Sequence, residues 1–180
     1  MVQPKAPDPV KLFVAVLLSD TGLIQEVRNR LESEFGTIDY ESELFPFDVT
    51  DYYEAEMGDA IQRKFFSFAG LISPDGIADI KLRTNEIEKT FMADGRRSVN
   101  LDPGYMDYYK IVLASGKFQG QKIYLSGGVY ADLTLYYDKD WKPFAWGFPD
   151  FRSGRYNQTL KKIRELYKAG RKIATDFGEQ

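Results

Sequence analysis

The 180-residue chain has no histidine and no cysteine. Lacking cysteine, it can form no disulfide framework, thiolate nucleophile or sulfur metal site. Lacking histidine, it has no imidazole base near neutral pH, no Ser–His or Cys–His pair, and no imidazole ligand of the kind most transition-metal sites use. Any chemistry falls to Asp, Glu, Tyr, Lys or Arg. Long apolar runs are also missing: the longest, Leu12 to Leu18, is strand length, whereas a bilayer span needs about 20 residues. The amino terminus, MVQPKAPDPVK, has prolines and an Asp where a secretory leader has a basic segment and an apolar core. No membrane association is expected, and a cytoplasmic location is.

What is present fits one soluble α+β domain over residues 1–180, with residues 1–9 as a loose arm; 43% of residues are hydrophobic and 28% charged. The net charge of −3 hides a segregation. Residues 37–62 carry Asp39, Glu41, Glu43, Asp48, Asp51, Glu54, Glu56 and Asp59 with no Lys or Arg, whereas the last thirty or so residues are rich in both.

Val10 to Leu18 is apolar on both faces, which predicts a central strand covered on both sides. Asp20 or Thr21 can cap a helix whose Leu23, Val27, Leu31 and Phe35 share a face and which Gly36 stops. Ile38 to Leu44 alternates as a strand with one wet face, Pro46 ends it, and Ile61 to Ile72 reads as a third strand. Ser73-Pro74-Asp75 opens a second helix, with Ile77, Ile80, Thr84, Ile87 and Phe91 on its inner face and an end near Gly95. Asn100 to Tyr105, NLDPGY, reads as a sharp turn with Pro103 and Gly104 at its centre. Tyr108 to Ala114, Lys122 to Leu125 and Val129 to Tyr137 then read as antiparallel strands, the last two joined by Ser126-Gly127-Gly128 as a hairpin turn. This order predicts a ferredoxin-like βαββαβ core with an antiparallel sheet, extended by a C-terminal β-hairpin and a C-terminal helix beginning near Ser153. Its two helices cover one face of the sheet. A homodimer is expected to shield part of the other, unless residues 141–177 of the same chain close it.

Three segments, VNLDPGY at Val99 to Tyr105, YLSGGVYADLTLYY at Tyr124 to Tyr137 and FPDFRSGRY at Phe148 to Tyr156, resemble a family of prokaryotic proteins of about this length known only as a domain of unknown function. The resemblance covers most of the chain. It implies no catalytic residues, since the family has none assigned. Tyr is common in that family where this chain has Phe148 and Phe151, so the resemblance gives no support to hydroxyl chemistry at those positions.

The residues themselves point to an anion site. Arg96 and Arg97 lead into the NLDPGY segment, with Lys110 and Arg152 further along, and the planar fork of arginine suits phosphate or carboxylate. Asn100, Asp102 and Tyr105 belong to the same segment, and Asp132 is a carboxylate in a strand otherwise rich in Val, Leu and Tyr. The expected function is binding of an anionic small molecule or nucleotide by Arg96, Arg97, Asn100, Asp102, Tyr105, Lys110, Asp132 and Arg152, with metal-assisted phosphoryl or hydrolytic chemistry as the class open to such a chain. The simpler alternative is that these arginines complement a helix terminus and nearby acids. Asp102 and Asp132 in one cleft could hold Mg²⁺ or act as a base, but two carboxylates alone are a weak metal signature, and no metal site is expected. The competing class is a non-enzymatic RNA- or protein-binding module. It would use an open sheet face or the basic helix with Lys161, Lys162, Arg164, Lys168, Arg171 and Lys172, although pI ≈ 5.2 disfavours nucleic acid. That helix is otherwise expected to be solvated and drawn to the acidic segment. The aromatic loop Trp141 to Phe151 is expected either to stack on a ring or to plug the end of the sheet.

Overall fold

The computed structural model describes residues 1–58, 60–93 and 95–178. In chain order the elements are β1 (Val10–Leu18), α1 (Ile24–Phe35), β2 (Ile38–Glu41), β3 (Phe45–Pro46), α2 (Glu54–Met57), β4 (Gln62–Ile72), α3 (Ile77–Lys89), β5 (Met92–Ala93) and β6 (Arg96–Arg97). There follow β7 (Val99–Met106), β8 (Lys110–Ser115), β9 (Ile123–Ser126), β10 (Val129–Asp138), β11 (Asp140–Pro143), α4 (Pro149–Arg152) and α5 (Asn157–Gly178). The fold is mixed α/β around one large antiparallel sheet, ordered β11-β10-β8-β7-β1-β4-β2, with β3 on β4 and β9 on β10. β5 and β6 form a separate small hairpin.

β1 is buried along its whole length, as its doubly apolar sequence requires. Leu12, Val14, Val16 and Leu18 face α1 and α3 and pack with Val27, Leu31, Ile77 and Phe91. Phe13 and Ala15 face the other way, against Phe65, Trp141, Phe151, Tyr156, Leu160 and Ile163. The second face over β1 and β4 is therefore closed by residues of the 141–177 segment, and the apolar surface that motivated a homodimer is covered within the chain. The same cover removes the open sheet face expected for base stacking. The arm is anchored at its end, where the Tyr167 hydroxyl donates to the Pro9 carbonyl (3.2 Å) and Asp8 pairs with Arg171 (3.0 Å).

The helix starts follow their sequence signals. Asp20 accepts from the Gly22 N–H (2.8 Å) and opens a 3₁₀ turn that runs into α1, and Gly36, at φ 90°, ends that helix. Pro74 begins the turn that leads into α3. α3 stops at Lys89, short of Gly95, because Met92–Ala93 pairs with Arg96–Arg97 as the β5–β6 hairpin. Gly127 and Gly128, both at positive φ, close the β9–β10 hairpin as expected.

The NLDPGY turn is a correction. Asn100 to Tyr105 lies inside β7, paired with β1 from Lys11↔Met106 to Leu18↔Val99. This strand, and not Tyr108 to Ala114, is the neighbour of β1; the latter segment supplies β8 one place further out. The Pro-Gly pair has another use here. Leu101 turns its N–H and C=O away from β1, towards the β8 side, and Pro103 presents the same edge two residues later without an N–H to donate. The β7–β8 ladder begins only beyond it, at Gly104↔Leu113. Gly104 then lets the strands approach closely. A Cβ there would lie 2.7 Å from Leu113 Cδ2, 2.7 Å from the Val112 carbonyl oxygen and 2.9 Å from Phe13 Cζ.

Because the Val112 contact is backbone and cannot rotate away, Gly104→Ala is expected to destabilise the protein by about 1–3 kcal/mol through overpacking. Urea unfolding measures this; an unchanged midpoint would contradict the close approach.

Candidate functional site

Where β7 and β8 part, β8 continues with β10 alone, and the freed edge of β7 is taken up by side chains of α3. Glu88 Oε1 accepts from the Leu101 N–H (2.7 Å) and Lys81 Nζ donates to the Leu101 carbonyl (2.7 Å). These two residues stand in for the missing strand. A cavity of about 410 Å³ opens in the gap, lined by β7, the Leu113 to Lys117 end of β8, α3, Phe47 to Tyr53 and the Phe148 to Phe151 segment.

Arg63 forms its floor. Leu17 pairs with Arg63 on one side and Asn100 on the other, so these three residues form a row across β4, β1 and β7. Ala15, opposite Asp102, has only a methyl, and Arg63 reaches over it. Its guanidinium donates to Asp102 (2.9 Å), Asp150 (2.9 Å) and the Ala15 carbonyl (3.3 Å). It also lies 5.3 Å from the Phe47 ring centre and 5.9 Å from that of Phe151. The Tyr156 hydroxyl donates to Asp150 (3.3 Å). Arg63 Nε and Asn100 Nδ2 are closed off from the cavity, with no acceptor at ordinary hydrogen-bond distance and geometry among the described residues. The Asn100 amide interacts with the Asp102 carboxylate and helps hold its pKa down.

Burial would lower the pKa of Arg63, yet the Asp150 and Asp102 carboxylates outweigh it and hold that pKa above its ordinary value. Burial pushes Asp102 up, but Arg63 and Lys81 bring it below the usual carboxylate range. Glu88 is the opposite case: burial raises its pKa, and Lys81, the Leu101 N–H and Arg97 offset this only in part.

The rim is cationic and aromatic. Arg97 donates to Glu88 (3.0 Å) and to exposed Glu56 (2.8 Å), with its guanidinium 5.9 Å from the Tyr53 ring centre. Exposed Lys117 sits 3.8 Å from the Tyr52 ring centre and 5.9 Å from that of Tyr53. Two cations thus converge on one tyrosine at the mouth.

Of the residues expected from sequence, Arg97, Asn100 and Asp102 line this cavity. Tyr105 and Lys110 line a separate one of about 250 Å³, where Lys110 pairs with Asp107. Asp132 lines a third of about 190 Å³ and pairs with Lys122 (3.6 Å). Arg96 and Arg152 are exposed and line none of these three. Asp102 and Asp132 therefore share no cleft, and no group of three or more Asp or Glu able to hold a metal occurs among the described residues. The basic helix pairs with Asp140 through Lys161, with Glu165 through Lys168 and with Asp8 through Arg171, while Arg155, just before α5, pairs with Asp48 of the acidic segment. Trp141 and Phe151 fill the core, whereas Trp146 stacks on Phe144 at the surface.

Arg63, Lys81, Glu88 and Asp150 were missed by sequence reasoning. The signal was a charged residue where the pattern calls for an apolar one. Lys81 and Glu88 follow Ile77 at helical spacing on the inner face of α3, and Arg63 sits in an apolar strand.

Asp150→Ala would strand a buried guanidinium, with an expected loss of about 3–5 kcal/mol in urea unfolding. Retention of full stability would show that Arg63 does not depend on the pair. Asp102 contributes a pH dependence of its own. Its folded pKa lies below the unfolded value, so its contribution is intact above about pH 4 and is lost as pH falls below that range. The stability difference between wild type and Asp102→Asn should be constant near neutrality and shrink on acidification; a difference that grows would reverse the sign.

A family model described as a domain of unknown function (DUF4416) matches residues 8–167 of the chain. No curated protein and no solved structure matches it. No helix among the described residues is long and apolar enough to cross a membrane.

Proposed function

The chain belongs to the DUF4416 family of unknown function, and from its cavity we propose that it binds an anionic, ring-bearing small molecule of the nucleotide class between β7 and β8. The observation that carries this reading is the cationic, aromatic mouth of the cavity, where Arg97 and Lys117 converge on Tyr53. A concave site lined by aromatic side chains with a few convergent charged groups is the usual form of a small-molecule pocket. Phe47, Tyr53, Phe148 and Phe151 line the space between floor and rim and suit a planar ring. Arg97 and Lys117 suit a phosphate or carboxylate at the mouth, where the anion would displace exposed Glu56 from Arg97. Glu88, Asp102 and Asp150 all accept from protein donors, which favours binding over turnover.

The same reading takes the strand run β7-β1-β4-β2, with α1 and α3 on one face, as a ferredoxin-like βαββαβ core. The neighbour order and the antiparallel pairings are consistent with it. On this view the site lies where the extension β8–β11 leaves that core.

Thermal denaturation with uridine 5′-monophosphate, other nucleotides and sugar phosphates tests the reading. A probe held at about a hundred times its Kd stabilises by about 2.7 kcal/mol, a rise of several degrees for a domain of this size. At least one nucleotide should produce it, and Arg97→Ala should reduce it. Absence of a shift with every probe, or an equal shift in Arg97→Ala, would overturn it.

A further inference from the structure

The edge of β8 that faces the gap is a recognition surface made of main chain. We propose that Ala114 and Gly116 hold the ligand's ring edge-on through their backbone, selecting a heterocycle with an N–H donor beside an acceptor; this rests on the nucleotide reading above.

Two bonds at the start of β8 fix which way its peptide groups point. The Lys110 carbonyl accepts from the Asp107 N–H (3.1 Å), just past the end of β7, and the Tyr109 carbonyl accepts from the Tyr137 N–H of β10 (2.8 Å). Direction alternates along a strand, so Lys110, Val112 and Ala114 turn towards β7, whereas Ile111, Leu113 and Ser115 turn towards β10. Ser115, facing its partner Tyr130, sits between trans peptide bonds, which aim the Ala114 carbonyl and the Gly116 N–H the opposite way, into the gap. Carried onward, the β7–β8 register sets Ala114 opposite Pro103, which has no N–H to give. It sets Gly116 opposite Leu101, whose N–H and carbonyl are already taken by Glu88 and Lys81. Neither the Ala114 carbonyl nor the Gly116 N–H has a hydrogen-bond partner among the described residues. Both residues line the cavity, Gly116 exposed and Ala114 buried, so the pair leads from the mouth inwards.

An acceptor followed by a donor on one strand edge matches a donor and an acceptor on neighbouring ring atoms. The 6-amino group and N1 of adenine form such an edge, as do the N3–H and an adjacent oxo group of uracil. A sugar phosphate or a phenyl ring has none. A ring paired in this way prolongs the plane of the sheet and turns one face towards Phe151, which packs on the same side of β8 as Leu113. Gly116 runs directly into Lys117, so the phosphate of such a ligand is left at the cationic mouth. Side-chain patterns in the sequence do not mark this subsite, because main-chain groups make it.

Calorimetric titration of the full chain with adenosine and uridine 5′-monophosphates tests the proposal, each set against an analogue without the donor. These are purine riboside 5′-monophosphate, which lacks the 6-amino group, and 3-methyluridine 5′-monophosphate, in which a methyl group replaces the N3 proton. A parent nucleotide that binds wild type should outdo its analogue by roughly ten- to a hundredfold, because the analogue leaves the buried Ala114 carbonyl without a donor. Gly116→Pro removes the N–H and should weaken the parent by about tenfold. Gly116→Ala should bind as wild type does, since φ at Gly116 is not positive and a Cβ there meets nothing within 4 Å. Equal affinity for parent and analogue in wild type, or full affinity in Gly116→Pro, would overturn main-chain recognition and leave the nucleotide reading standing. Failure of wild type to bind either parent would overturn both. If Gly116→Pro does not fold, the comparison of parent with analogue on wild type decides alone.

Discussion

A buried guanidinium is costly unless its charge and its donors are met, and Arg63 is the residue around which this end of the molecule is arranged. It joins β4 to β7 through Asp102, to β1 through the Ala15 carbonyl and to α4 through Asp150. Each partner constrains its own element. Ala15 must stay small for the side chain to cross it, and α4 must hold a carboxylate over the sheet at Asp150, which is 2% exposed. Phe47 and Phe151 close on the guanidinium, one from the segment after β3 and the other from α4. Removing the charge would loosen the contact among segments that are distant in sequence.

The second constraint is local to the backbone. Pro103 denies β8 a hydrogen bond and Gly104, next to it, lets β8 come closer than any side chain would allow. The same two residues therefore open the sheet on one side and tighten it on the other. The opening leaves a polar strand edge that Lys81 and Glu88 satisfy, so the cavity costs the sheet little in unmade hydrogen bonds. Its charges are largely paired within the protein.

Much of this architecture was legible from residue patterns. The burial of β1 on both faces, the Asp20 start and Gly36 end of α1, the Pro74 start of α3 and the Gly127-Gly128 hairpin are local effects with local causes. The NLDPGY segment misled because Pro and Gly carry turn chemistry in isolation, whereas here strand pairing with β1 overrides it and turns each residue to another purpose. Arg97, Asn100 and Asp102, close in sequence, do line one cavity; Lys110 and Asp132 were grouped with them although the sheet carries them to other cavities. Arg63, Lys81 and Asp150 could not be grouped in advance, because their meeting depends on the register of three strands and on where α4 lands.

The central claim is that the gap between β7 and β8 is a ligand site floored by Arg63 and Asn100. Amide ¹⁵N–¹H correlation spectra, recorded while uridine 5′-monophosphate is added, observe the Asn100 side-chain amide directly. The expected result is movement of that amide signal together with backbone signals of Leu113 to Lys117, Arg97 and Arg63, and little change along Asn157 to Gly178. Shifts confined to the basic helix or to the β9–β10 hairpin, with the Asn100 amide unmoved, would contradict it.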